Sequence, residues 1–533
     1  MSLNLLKQKF GAIFLALVVL TILISHTLYV FESRQYPQWD EHHYLYMATQ
    51  FYDILSNPTP RMLSEISKIS QHRQPLYPML ITFFLFIFGR EHAYRIALLL
   101  NGVLYAVTLL SVYALSKKYL SRVSSVMAVC IAAFYGNSLF FLHFSYSETA
   151  LTTFVMLALV ALSSGNIFIR KKESVIAGTA LALSWLVKWI APAFLLLPSL
   201  YSACLAIYQS LGRKKKLSRI IGNIALCAGI AVAIPLIIYY IPNMKPFLDY
   251  VWRNRTYGHE WVATYRTADM ANTFSVRSLM YYLNIISQNT FFLFALFVWG
   301  MIVMITHFKK FGFILVAFLS QYIFLTVFTV WKEDRYAVSM YPLMAIITAS
   351  IFDTISQKKL RITLMCVTVL YSFLIFLGAS WGLGPFGKQG LKDIVLPEFI
   401  HHPRRIYLTP LVWPPNVEYV NAHQLVEIAQ EHKKAGSSAR ILQLFIFEPW
   451  DNAVDSIRYY GKQGLFTLER IENIDAFTAE SIISNIHAYD FILIKNDKQN
   501  AFIDQLLIRN TEIFRRIPVP IDNSEVIVYK VLP

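Results

Sequence analysis

Residues 93–140 read AYRIALLLNGVLYAVTLLSVYALSKKYLSRVSSVMAVCIAAFYGNSLF. Two apolar runs, 93–116 and 121–140, flank a turn that carries Lys117, Lys118 and Arg122. Each is about as long as a helix needs to be to cross a hydrocarbon core of roughly 30 Å. The same pattern recurs near 11–30, 149–166, 174–187, 190–208, 220–241, 288–306, 312–330, 336–354 and 362–380. These runs predict a polytopic α-helical membrane protein of about eleven transmembrane helices.

Composition agrees. Hydrophobic residues make up 56% of the 533 positions and the mean hydropathy is +0.47, too apolar for a soluble chain of this size. Lys and Arg outnumber Asp and Glu by 48 to 32, an excess that membrane proteins collect in cytoplasmic loops. The basic isoelectric point therefore reads as sidedness, and no nucleic-acid partner is expected. Cys130, Cys204, Cys227 and Cys366 all fall in apolar runs and suggest neither a disulfide framework nor a cysteine zinc site.

Lys7 and Lys9 precede the first run, which is long enough to span and lacks a small-residue cleavage site. It reads as an uncleaved first span with the N-terminus cytoplasmic. The clusters Lys117/Lys118/Arg122, Arg170/Lys171/Lys172, Arg213–Lys216 with Arg219, Lys309/Lys310 and Lys358/Lys359/Arg361 fall at every second turn. Those turns are expected inside. The alternate turns, 32–92, 141–148, around Lys188, 242–287, 331–335 and everything after about 381, are then expected outside.

In the loop 32–92 the apolar piece Leu76–Phe88 is short for a span and opens with Pro75 and Pro78, so it reads as a helix lying in the outer interface. Domain 1–380 is the membrane domain. Beyond it, 381–533 reads as a small extracytoplasmic α/β domain, in which apolar segments (Ile406–Leu408, Ile441–Phe447, Phe491–Ile494, Val526–Val531) alternate with helix-like stretches near 417–434, 474–488 and 498–509. No internal repeat is visible, which weakens a transporter built on inverted halves.

The residues that carry chemistry cluster in the outer turns. Trp39-Asp40-Glu41-His42-His43-Tyr44 follows the first span. Its paired carboxylates near a membrane boundary read either as a functional site or as an acidic cap for the helix that follows. In His72-Arg73-Gln74-Pro75-Leu76-Tyr77-Pro78, Arg73 offers a planar fork to a phosphate or snorkels to lipid headgroups. Glu148 closes the turn Phe144–Glu148, and Lys188 interrupts an apolar stretch between Trp185 and Trp189. A buried lysine needs an acid, a carbonyl or an anionic ligand. Trp331-Lys332-Glu333-Asp334-Arg335-Tyr336 places two cations in an outer turn, against the basic-inside pattern. Acids suit activation of a hydroxyl, and cations suit an anionic leaving group.

In order and sidedness these elements resemble the GT-C superfamily of membrane glycosyltransferases, in the branch of the protein O-mannosyltransferases and lipid A aminoarabinose transferases. The matches are Asp40-Glu41, Arg73 to Pro78 with Phe88-Gly89, Arg95, the turn ending in Glu148, Lys188, and Lys332-x-x-Arg335-Tyr336 with Tyr341-Pro342. They cover roughly 1–380, the tail matching only in position and general character.

The resemblance implies inverting transfer of a sugar from a polyprenyl-phosphate donor to a hydroxyl acceptor (lipid, glycan or protein) at the outer face. Asp40 would be the general base and Glu41 a supporting carboxylate. Arg73, Lys188, Lys332 and Arg335 would be the cations for the donor phosphate, with Glu148, Tyr77, Tyr336, His259 and Glu260 lining the substrate site. The layout suggests a prokaryotic inner membrane. Metal use stays open: His259 and Glu260 with His42, His43 or Glu41 have the donor types of a zinc, manganese or magnesium site, while histidines in a wet loop are more often plain polar residues. The competing readings are a lipid or polysaccharide transporter and an inactive assembly subunit of the same fold.

Overall fold

The computed structural model describes residues 3–33, 40–71, 73–211, 214–265, 273–289, 291–329 and 332–384, and beyond these seven strands of the C-terminal region. In some helical stretches, 257–265 among them, and in the strands, only the backbone is described. The chain divides into two compact units. One comprises Met1–Ser33 and Met47–Pro415, the other Arg34–Tyr46 and Asn416–Pro533.

The first unit is a helical bundle. Its leading helices are α1 (Leu3–Glu32), α2 (Glu41–Ser56), α3 (Met62–Ile69), α4 (Leu76–Phe88), α5 (Ala93–Ser116), α6 (Arg122–Ala133), α7 (Gly136–Leu142), α8 (Ser147–Leu162), α9 (Lys171–Val187), α10 (Ala191–Ser210), α11 (Lys214–Pro235) and α12 (Ile241–Tyr265). The longer helices after these are Phe291–Thr306, Phe308–Ile323, Tyr341–Ala349 and Lys358–Trp381.

Each of the eleven apolar runs is helical. Among the described residues, however, seven helices are long and apolar enough to cross a membrane, or eight if the α6–α7 pair, bent by 54°, is one span. The expected count of about eleven is not confirmed among the described residues: Ser147–Leu162 and Phe292–Thr306 are short, and α9 spends its first turn on Lys171, Lys172 and Glu173. The 13 residues of α4 rise about 20 Å as a helix, less than a bilayer core.

Bilayer-facing and core-facing helices differ as a membrane requires. Leu17, Leu20, Ile24, Leu28 and Phe31 form an exposed apolar stripe on α1, a surface that water would not tolerate on this scale. The apolar window of Asp334–Thr354 is 89% buried and that of Lys216–Arg253 is 22% buried, so the former is central and the latter peripheral. Many polar groups inside find partners, as hydrocarbon favours: Thr108 pairs with Thr153 (2.9 Å), and the Ser202 hydroxyl donates to the Leu162 carbonyl (3.0 Å).

Helix ends follow local chemistry. Ser121 caps α6, its Oγ accepting from the Ser124 backbone N–H, and the Asp353 carboxylate accepts from the Ser121 N–H (2.8 Å) and the Ser124 hydroxyl (2.6 Å). This ties a negative charge to the positive end of that helix. Pro235 is followed by a single π-helical turn, Leu236–Tyr240, and Asn243 breaks the helical geometry of α12 (φ −119°, ψ 18°).

Gly300 packs Phe291–Thr306 against Tyr341–Ala349 so closely that a Cβ there would collide with the Ile347 carbonyl. Gly300→Ala therefore has to push the helices apart, and overpacking of this kind costs about 1–3 kcal/mol. A thermal melt of the purified variant in detergent, run beside the wild type, should show a clearly lower midpoint.

In the second unit the described strands β3 (Ala439–Gln443), β4 (Phe466–Arg470), β5 (Phe491–Lys495), β6 (Phe514–Ile517) and β7 (Val526–Val531) form one sheet in the order β4-β3-β5-β7-β6. Strand β3 is parallel to β4 and β5, with Ile441 opposite Phe491, whereas β7 runs antiparallel to β5 and β6. The expected helices near 417–434, 474–488 and 498–509 lie outside the described residues. Strands β1 (Ile394–Leu396) and β2 (Arg404–Ile406) pair antiparallel within the first unit.

Candidate active site

Antiparallel packing of α8 on α9 determines the centre of the site. Glu148 lies in the first turn of α8 and Lys188 at the C-terminal cap of α9. An acid at a helix start and a cation at a helix end each suit the local dipole. Lys188 Nζ lies 2.6 Å from Glu148 Oε1. Arg335, from the turn ahead of Tyr341–Ala349, brings its Nε to 3.7 Å from the same oxygen and pairs also with Glu333.

Glu148 is 2% exposed, Lys188 12% and Arg335 18%. The acid is thus almost wholly removed from solvent between two largely buried cations. Tyrosine faces complete the surroundings: the Lys188 ammonium stands 4.9 Å from the Tyr336 ring centroid, and the Arg335 guanidinium 5.4 Å from Tyr146 and 5.5 Å from Tyr336. Such stacking adds to cation binding without neutralising it. Nearby, the Tyr281 hydroxyl donates to Asp334 (3.1 Å).

The structure thus brings together Glu148, Lys188, Arg335 and Tyr336 from three separated stretches of sequence. Lys332 is 1% exposed, and its ammonium donates to the carbonyls of Thr326 (2.6 Å) and Thr329 (2.8 Å) at the π-helical end Phe324–Phe328. Burial pushes its pKa from 10.5 down to about 8. A lysine that holds its proton less tightly in the native state makes that state gain stability as pH rises through this window. The melting temperature of the wild type relative to Lys332→Met should therefore climb between about pH 8 and pH 10.5, and a flat difference would remove this reading.

Tyr77 is buried at the head of α4, where its hydroxyl donates to Asn101 Oδ1 (3.1 Å) and Asn101 donates to the Phe144 carbonyl (2.6 Å). It thereby positions the turn that carries Glu148. Arg73, half-buried, precedes the same helix. Asp40 and Glu41 open α2: the Asp40 carbonyl accepts from the His43 and Tyr44 N–H groups (3.1 and 3.4 Å), and Glu41 is buried. Both lie in Arg34–Tyr46, which belongs to the second compact unit, whereas the Glu148 cluster lies wholly in the first.

His259 and Glu260 are on α12, and their side chains, like that of His42, lie outside the described residues. Among the described residues no three His, Cys, Asp or Glu side chains stand together as metal ligands.

Sequence reasoning left Tyr146, Tyr281 and Asn101 without a role. Tyr146 lies inside the turn that ends in Glu148, whereas an isolated Asn or Tyr in an apolar run carries no local signal of its partner.

No family model and no curated relative matches this sequence. Solved structures do. ArnT from Cupriavidus metallidurans bound to undecaprenyl phosphate is similar with a TM-score of 0.55 at 10% identity, over 96% of this chain and 97% of that one. The archaeal oligosaccharyltransferase AglB from Archaeoglobus fulgidus, in complex with an inhibitory peptide and a dolichol-phosphate, is similar with a TM-score of 0.50 at 11% identity, over 94% of this chain and 71% of that one. A second structure of the Archaeoglobus fulgidus oligosaccharyltransferase, with Zn and sulfate, gives 0.50 at 11% identity over 91% and 69%. Across nearly its whole length the chain therefore shares the fold of these solved structures.

Proposed function

We propose that this protein transfers a sugar from a polyprenyl-phosphate donor to a hydroxyl acceptor, with inversion, at the membrane face opposite its basic clusters. The observation that carries this reading is the buried Glu148–Lys188–Arg335 cluster in a fold shared with an enzyme bound to undecaprenyl phosphate. In the reaction the acceptor oxygen attacks the anomeric carbon, the bond from that carbon to the phosphate oxygen breaks, and its electron pair leaves on the phosphate. The acceptor proton passes to Asp40.

A phosphate leaving group needs positive charge more than it needs a proton, which Lys188 and Arg335 supply, joined by Arg73. Glu41 supports Asp40, and His259 and Glu260 line the acceptor side. Lys332, whose ammonium donates to the Thr326 and Thr329 carbonyls, holds the helix end that leads into this turn. The clustering of the charges at span ends, instead of near mid-bilayer, favours this reading over a transporter.

The test is transfer by the purified full-length protein in lipid nanodiscs. It is supplied with radiolabelled sugars on polyprenyl phosphate and with an extract of envelope lipids, glycans and proteins. Label in an acceptor supports the reading and names the acceptor class. Movement of the carrier across a bilayer with no label transferred overturns it in favour of a transporter.

A further inference from the structure

We infer that Glu148 is the resident counter-anion of the carrier-phosphate site, occupying the cations that the phosphate must take over and so lowering the protein's affinity for its spent carrier. The inference rests on the function proposed above and concerns the same site.

Three observations carry it. First, the cations are already engaged. Lys188 and Arg335 face Glu148, and Arg335 pairs also with Glu333, so an arriving anion meets cations that carboxylates already occupy. Second, the match is incomplete in a telling way. An ammonium has three donors, and among the described residues that of Lys188 makes one hydrogen bond, to Glu148 Oε1. The second carboxylate oxygen of Glu148, Oε2, is buried and has no hydrogen-bond partner among the described residues. A half-satisfied ion pair away from water is costly, and a ligand able to use the remaining donors relieves that cost. Third, the ligand class is set by the lining. Two cations, one of them a planar guanidinium, backed by tyrosine faces, suit a phosphate oxyanion.

A phosphate that engages Lys188 and Arg335 lies within a few ångströms of the Glu148 carboxylate, and like charges at that range repel strongly when buried. Glu148 Oε1 must therefore give up Lys188 as the phosphate binds and reclaim it as the product leaves. The carboxylate acts as a built-in competitor. It weakens binding of both donor and spent carrier and speeds release of a leaving phosphate that the cations alone would hold.

The experiment compares wild type with Glu148→Gln as full-length proteins in nanodiscs, measuring equilibrium binding of undecaprenyl phosphate and of undecaprenol, its uncharged counterpart. The neutral amide should tighten undecaprenyl phosphate roughly 10- to 100-fold and leave undecaprenol unchanged, with KM and kcat both falling as release slows. Weaker phosphate binding in Glu148→Gln overturns the inference and makes Glu148 an anchor that orients Lys188. Failure of the wild type to prefer undecaprenyl phosphate over undecaprenol overturns the proposed function itself. Should Glu148→Gln not fold, a wild-type structure with undecaprenyl phosphate decides: a Lys188–Glu148 separation beyond ion-pair range supports displacement, and an unchanged 2.6 Å pair rejects it.

Discussion

Asp40→Asn should lower the single-turnover transfer rate by about 10²–10⁴-fold, the range a general base contributes, while binding of undecaprenyl phosphate stays as in the wild type. Asn and Asp are comparable at a helix start, and at the start of α2 the Asp40 backbone carbonyl accepts from the His43 and Tyr44 N–H groups, which the substitution leaves in place. In the proposed reaction what the amide loses is the capacity to take the acceptor's proton. A rate unchanged by the substitution would transfer the role of base to another group, and Glu41→Gln would be the next variant. The split between rate and carrier binding separates the base from the phosphate cations, because loss of a cation should impair both.

Lys188→Met should destabilise the protein by about 3–5 kcal/mol, the usual cost of removing one partner of a buried pair. Methionine fills a similar volume, so packing is not the issue. Glu148, 2% exposed, loses the ammonium 2.6 Å away and keeps, among the described residues, the Arg335 guanidinium at 3.7 Å. The paired replacement Glu148→Gln with Lys188→Met removes both charges and should recover most of the loss, as replacing a whole buried pair usually does. Thermal melts of the four proteins in one detergent form the cycle. If the double variant is as unstable as the sum of the singles, the two side chains do not act as a pair and the central feature of the site is misassigned.

These variants depend on knowledge the sequence gave up unevenly. The eleven helical runs were legible because length and apolarity are local properties. The turns bearing Glu148, Lys188 and Arg335 were legible because a charge beside an apolar span is conspicuous. The number of crossings was not, since a window of apolar residues is blind to the break between α6 and α7 and to the charged first turn of α9. Nor was the division of labour among cations: Lys332 and Arg335 share one motif, yet the former caps carbonyls and the latter faces Glu148. Tyr77 was singled out as a substrate contact, and its burial against Asn101 follows from how α4 packs on α5.

By itself the sequence determined that the chain is a membrane bundle, which turns carry its charges, and that acids and cations gather in the same alternate set of turns. All of this follows from the cost of placing polar groups in hydrocarbon. Only the tertiary structure decided which charges meet. Helices apolar on all sides do not announce their neighbours, and Glu148 and Lys188 become a pair solely because α8 and α9 lie against each other. A contact of that kind depends on long-range packing, and nothing in the local pattern of either helix specifies it.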